Sequence, residues 1–274
     1  MNIGFKDELK GLFPKWKLND RDVVWLWLML RKLKLDLPLD EFGANNMCDR
    51  MTHFIEDDRR IAYFEEERNI TILPEEDLQW IEKSERQSKW LIDELLHEIR
   101  INEPVCPAHL SPREKLIAII DYWNAPIARK SEILDSLRKD WGRHLEEDKY
   151  YKWFKENSEK QKCETAWSWY RKEMPKLTRG ENTFHNYEAL LLFLDSSGLK
   201  LDEKRLHIVE IKKEWKRRQV SANQEGTKQT NFAFPEDVRS QLDILAKKFG
   251  LTKKELVERL IRNAAKNGLP KISD

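Results

Sequence analysis

The chain is poor in the residues that mark many functional classes. Only nine of its 274 residues are glycine, and none sits in a Gly-rich loop of the kind that cradles a nucleotide phosphate. Its cysteines, Cys48, Cys106 and Cys163, are odd in number, far apart and without C-x-x-C spacing. That pattern argues against a disulfide framework or a zinc module and for a reducing cytoplasm. The histidines, His53, His97, His109, His144, His185 and His207, show no H-E-x-x-H or similar ligand spacing. No signal-peptide pattern is visible. The strongest apolar run, residues 23–30, is bracketed by Arg21, Asp22, Arg31 and Lys32. It is far too short to span a bilayer and reads as a buried helix. Internal repeats and low-complexity tracts are also missing.

What is present describes a folded, helical, cytoplasmic protein without a membrane segment. Eleven Trp and eleven Phe accompany a charged fraction of 36%, as amphipathic helices with solvated outer faces require. The net charge of +1 hides an asymmetry. Residues 1–140 carry 22 basic and 28 acidic side chains, net −6, and residues 141–274 carry 28 and 21, net +7. A basic excess confined to one half is the electrostatic footprint of a nucleic-acid reader.

The most informative stretch lies near the C-terminus. From Gln229 to Phe234 the side chains alternate, which places Gln229, Asn231 and Ala233 on one face of a strand and Thr230, Phe232 and Phe234 on the other. Pro235 ends the strand and suits a first helical turn. A helix is predicted from about 236 to 248, with Val238, Leu242, Leu245 and Ala246 as its apolar stripe. Gly250 suits the left-handed position that ends it. Thr252-Lys-Lys-Glu255 is a capping box opening a second helix, whose stripe is Leu256, Leu260, Ile261 and Ala264. A single short strand has no partner inside this segment. Pairing the strands of two chains solves that, and the resulting ribbon fits the major groove of DNA.

These residues resemble the ribbon-helix-helix DNA-binding family of the Arc and MetJ repressor type, over roughly 226–266. The matching features are the alternating strand, Phe234-Pro235, Ala246, Gly250 and Thr252. The resemblance implies that Gln229, Asn231 and Ala233 read base edges. It implies that Thr252 and Lys253, with Lys228 beside the strand, hold the DNA backbone. It also implies a dimer core of Thr230, Phe232, Phe234, Leu242, Leu256 and Leu260. One departure is Ala at the third reading position, where contact is apolar and weak.

Upstream, a helix beginning near 201, with Asp202 as N-cap, carries Leu206, Val209 and Trp215 near one face and Lys212, Lys213, Lys216, Arg217 and Arg218 at its end. Cations there complement the helix dipole. Beside a base-reading ribbon they also hold flanking phosphates. Lys152-Trp153, the basic run 212–218 and Thr227-Lys228 follow an order similar to that of the MatP family, which organises the replication-terminus region of some bacterial chromosomes. The extra 140 N-terminal residues depart from that family. So does the short tail: residues 266–274 are too few for its bridging coiled coil.

The expected architecture is mainly α: an acidic helical domain (1–145) for interaction or oligomerisation, a small helical bundle ending in the basic helix (146–219), a linker (220–227), the ribbon-helix-helix (228–266) and a tail (267–274). In the first domain, helices are expected at about 19–34, 45–67, 75–99, from the Ser111-Pro-Arg-Glu114 capping box to about 123, and 127–144. Across the chain the Trp residues at helical spacing read as core. Some, such as Trp25 and Trp27 on one helix, or Trp167 and Trp169, cannot all face one way, which would leave a few for a partner. Acidic clusters at 56–58, 65–67 and 75–77 read as solvated faces, not as a metal site. Cys106-Pro-Ala-His109 lacks a visible activating base or oxyanion site. The functional expectation is a homodimeric, nucleoid-associated, double-stranded DNA-binding protein without enzymatic activity or cofactor, with a further protein partner for the acidic half. Chromosome or plasmid organisation and transcriptional repression both fit. An antitoxin or autorepressor, or an interaction protein that uses the ribbon only to dimerise, are the alternatives.

Overall fold

A computed structural model of the chain describes residues 7–38, 42–44, 46–223 and 232–268. Among them are thirteen α-helices and no strand. They belong to two compact units, Met1–Arg218 and Gln219–Asp274. No helix among the described residues is long and apolar enough to cross a membrane.

The first unit opens with α1 (Asp7–Leu12), α2 (Asp20–Lys32), α3 (Met47–Ile55) and α4 (Asp58–Thr71). Asn19 starts α2 through a reciprocal capping box with Asp22. α2 is buried on all sides from Asp22 to Leu30, so Trp25 and Trp27 both lie in the core. Both therefore follow the core reading of the sequence, and neither is among the few left for a partner. An all-round apolar helix has no outer face to offer.

Two long helices expected from the sequence are each divided. The stretch 45–67 breaks at Glu56–Asp57, where Asp57 accepts a hydrogen bond from the Arg59 N–H (2.8 Å) and begins α4. The stretch 75–99 begins as a 3-10 turn (Glu75–Leu78), and α5 (Glu85–Ile99) starts only after Ser84 caps it by accepting from the Gln87 N–H. α6 (Pro112–Tyr122) follows the Ser111/Glu114 box as expected, and α7 (Ile127–Glu146) follows Pro126. α5, α6 and α7 pack together around Leu91, Leu95, Ile119, Ile120, Leu134 and Leu137.

The rest of the unit is α8 (Lys152–Lys155), α9 (Glu159–Glu173), α10 (Tyr187–Ser196) and, as far as Arg218, α11 (Leu201–Asn223). They share a core of Phe154, Tyr170, Leu190, Leu194, Ile208 and Ile211. Here the sequence reading picks the wrong stripe of α11: Leu206 is 67% exposed and Val209 49%, while Lys204, Ile208 and Ile211 face the core. Asp202 lies inside the first turn instead of capping it. The helix also continues through the first four residues expected to be linker.

A buried ion cluster joins α5 and α7 to α10. Arg86 donates to both carboxylate oxygens of Asp148 (2.7 and 2.8 Å) and to Asp195 (2.6 Å). His144 lies 3.0 Å from Asp195 and stacks on Trp90 and Trp141. Burial pulls the Arg86 guanidinium down, but its hydrogen bonds to Asp148 and Asp195 outweigh that and raise it above its ordinary value.

Lys130 of α7 is fully buried, and its ammonium donates to the carbonyls of Thr71 (2.8 Å) and Asp121 (3.3 Å). It thus satisfies carbonyls in the last turns of α4 and α6, where helices leave acceptors unpaired. Desolvation pushes its amine from 10.5 down to about 8, against the pull of Asp121. Between those values the unfolded chain binds a proton that the native chain does not, so stability rises with pH across that window. Relative to Lys130→Met, the wild type is expected to gain on the order of 3 kcal/mol between pH 7 and pH 11. Equal pH slopes in urea titrations of the two proteins would contradict this.

In the second unit, α12 (Glu236–Phe249) and α13 (Lys253–Asn267) pack against each other. α12 ends at Gly250, whose φ of 65° is left-handed, and the Gly250 N–H returns to the carbonyls of Ala246 and Lys247. α13 begins with the expected Thr252/Glu255 capping box.

Candidate nucleic-acid interface

The second unit has little core of its own. Ala246 and Leu256 are its only buried hydrophobic side chains among the described residues. Phe232, Phe234, Val238, Leu242, Leu245, Leu260 and Ile261 instead line an apolar groove of about 390 Å³, together with Gln241 and Val257. Phe232 is 64% exposed and Leu260 52%. The Phe232 and Phe234 rings stand 6.1 Å apart on the same side, as alternation requires. A helix pair of this size, below roughly 40 residues, usually needs a disulfide, a metal or association with another surface to be stable.

Of the residues expected to touch DNA, Lys228, Gln229 and Asn231 lie outside the described residues, as does Thr230 of the expected dimer core. Ala233 is exposed in a segment, Phe232–Pro235, without regular secondary structure. Leu256 faces the α12–α13 contact, and Phe232, Phe234, Leu242 and Leu260 face the groove. Of the six expected core residues, one is buried within the chain, four line the groove with Leu242 half-buried, and one is outside the described residues.

At the start of α13, the Thr252 N–H and hydroxyl donate to Glu255 (both 2.9 Å), and the Glu255 N–H donates to the Thr252 hydroxyl (3.2 Å). The backbone hydrogen bonds to Thr252 hold the Glu255 carboxyl below its ordinary value. The box uses the N–H groups of Thr252 and Glu255 and leaves those of Lys253 and Lys254 for an outside acceptor. The Lys253 side chain pairs with Asp243 of α12.

The cations of α11 are less free than the sequence reading assumes. Lys213 bonds to Glu210 (2.6 Å), and Arg217 (3.3 Å) and Arg218 (3.1 Å) both meet Glu214. Lys212 lies over the Trp153 ring, 5.4 Å from its centroid. Lys216 is exposed beside them. Glu210, Glu214 and Asp243 are the residues missed. The i,i+3 and i,i+4 spacing of Glu214 to Arg217 and Arg218 was the available signal.

Burial pushes the Cys106 thiol up to about 11, so it stays protonated at neutral pH. His109 stacks on Phe42, with ring centroids 5.0 Å apart. Among the described residues no three His, Cys, Asp or Glu side chains converge on a point that would hold a metal ion. The chain matches no protein-family model, no curated protein and no solved structure.

Proposed function

We propose that the chain is a homodimeric, site-specific binder of double-stranded DNA, and that its dimer forms by closing the apolar groove of one chain on that of another. The observation that carries this reading is the open groove directly following an alternating segment that ends in Phe232 and Phe234. A strand is defined by its ladder partner, and a second chain supplies one. Pairing the two segments buries Thr230, Phe232 and Phe234 and turns Gln229, Asn231 and Ala233 outward as a ribbon.

Gln and Asn side chains pair bidentately with adenine, and the Ala methyl meets a thymine methyl. The free N–H groups at the start of α13 receive a backbone phosphate on each half-site. The two-fold symmetry of the dimer makes the preferred site a short palindrome. Such a protein works in the cytoplasm on the nucleoid, as an organiser of a chromosome or plasmid or as a repressor. The acidic excess of residues 1–140 suits a protein partner better than a phosphate backbone. The internal pairing of Lys213, Arg217, Arg218 and Lys253 favours a second reading, in which the groove serves dimerisation alone.

Asn231→Ala separates the two. It is expected to cost about 1–3 kcal/mol of discrimination at one base pair and to leave affinity for scrambled duplex unchanged. An equal loss on every sequence would remove Asn231 from base reading.

A further inference from the structure

Among the described residues, a cavity of about 140 Å³ opens between α2, α6 and the 3-10 turn that begins at Glu75. Sites for drug-sized molecules run to roughly 300–1,000 Å³, so this one suits a small ligand. One wall is apolar, made by Val24, Leu110, Ile117 and Ala118. Two arginines from different helices line it as well, each fixed by its own partners. The Arg21 guanidinium donates through Nε and Nη2 to the two oxygens of Asp121, both at 2.7 Å. That carboxylate is almost wholly buried. Arg113 donates to the carbonyls of Ile81 (2.8 Å) and Leu78 (3.2 Å).

Glu75 lies between the two. Its Oε2 accepts from Arg21 Nη1 at 3.2 Å, and its Oε1 stands 3.5 Å from Arg113 Nη2. The Glu75 side chain is 57% exposed, whereas both arginines are mostly covered. The guanidinium groups are thus the anchored part of the cluster, and the carboxylate between them is the part that can leave. An ion pair with so exposed a partner is weak, so Glu75 is readily displaced. Asp121 neutralises one arginine, which leaves one positive charge between the two guanidinium groups once Glu75 swings out.

We propose that this cavity binds a small aliphatic carboxylate. Its carboxylate group takes the place of Glu75 between Arg21 and Arg113, and its short carbon chain lies against Val24, Ile117 and Ala118. Planar guanidinium forks match a carboxylate in shape and charge. The apolar wall selects an organic acid over an inorganic anion, by roughly fourfold in affinity for each methylene buried. Asp20 and Glu114 also line the cavity, so an acid that carries an amino group is matched at both ends. The inference is independent of the DNA-binding reading, and its failure would leave that reading untouched.

The test is isothermal titration of full-length protein with isovalerate, valine and isobutylamine, which share one branched carbon skeleton. Both carboxylates are expected to bind at one equivalent per chain, valine the more tightly, and the amine not at all. Glu75→Gln is expected to bind isovalerate about three- to fivefold more tightly, because the resident anion is gone. Arg113→Gln should bind it about tenfold more weakly, the worth of one hydrogen bond to a charged group. Arg113 also holds two carbonyls, so if that variant loses its fold, Glu75→Gln decides alone. Absence of binding by either carboxylate up to about 20 mM would overturn the proposal. So would equal isovalerate affinity in Glu75→Gln and wild type, or an amine that binds as well as the acids.

Discussion

Phe232→Asp is expected to turn the chain into a monomer by light scattering at concentrations where the wild type is a dimer, with its helical circular dichroism retained. Phe232 is 64% exposed in the single chain, so the described residues leave most of its ring uncovered. In the proposed dimer the partner covers it. Symmetry places two substituted residues in each dimer. Each forfeits about 1.5–3 kcal/mol of apolar burial, so the dissociation constant rises by roughly a hundredfold or more before the carboxylates are counted. Burying those carboxylates without partners adds several kcal/mol more. The same substitution at an ordinary exposed position would leave the oligomeric state unchanged, and a stable Phe232→Asp dimer would place the interface elsewhere.

Arg86→Ala is expected to destabilise the first unit by about 3–5 kcal/mol, the cost of removing one partner from a buried ion cluster. The loss is not simply that of the pairing. Asp148 and Asp195 would remain side by side without their shared counter-ion, and Asp195 is almost wholly buried. All eleven Trp residues precede residue 219, so fluorescence-detected urea unfolding follows this unit. Burial raises the Asp195 carboxyl, but hydrogen bonds from His144 and Arg86 hold it below its usual range. Its contribution is therefore present above the ordinary carboxylate range and is lost as pH falls through the depressed value. The deficit of Arg86→Ala should accordingly shrink on acidification. A deficit below about 1 kcal/mol at neutral pH would rank the cluster with surface pairs.

The parts of this fold that could be read from the sequence are those set by local chemistry. The boxes at Ser111 and Thr252, the left-handed Gly250 and the cap at Asn19 each depend on residues within one turn of each other. The break before α5 was legible too, since Ser84-x-x-Gln87 is a capping signature. It was masked by the apolar pattern that Leu78 and Ile81 share with Leu91 and Leu95. Residues 204–215 were harder. Leu206 with Val209, and Ile208 with Ile211, are equally good stripes at helical spacing, and only packing against α9 and α10 chooses between them. The cluster around Arg86 was illegible because its members are up to 109 residues apart.

The candidate site divides along the same line. Phe232, Phe234, Leu242 and Leu260 were identifiable from period alone, and they line one groove. The counter-charges Glu210, Glu214 and Asp243 were visible as letters. Their effect on the cations depends on side-chain reach, which composition does not express. The base reading proposed for Gln229 and Asn231 would depend on a second chain and a duplex, so neither the sequence nor the fold of one chain can contain it.

The most direct measurement is a selection of short duplexes from a random pool by purified full-length protein at physiological salt, with the bound fraction sequenced. The account predicts a sharp motif with two-fold symmetry, its half-sites containing the adenines that Gln and Asn side chains recognise. A bound fraction with the same sequence statistics as the input pool would contradict it.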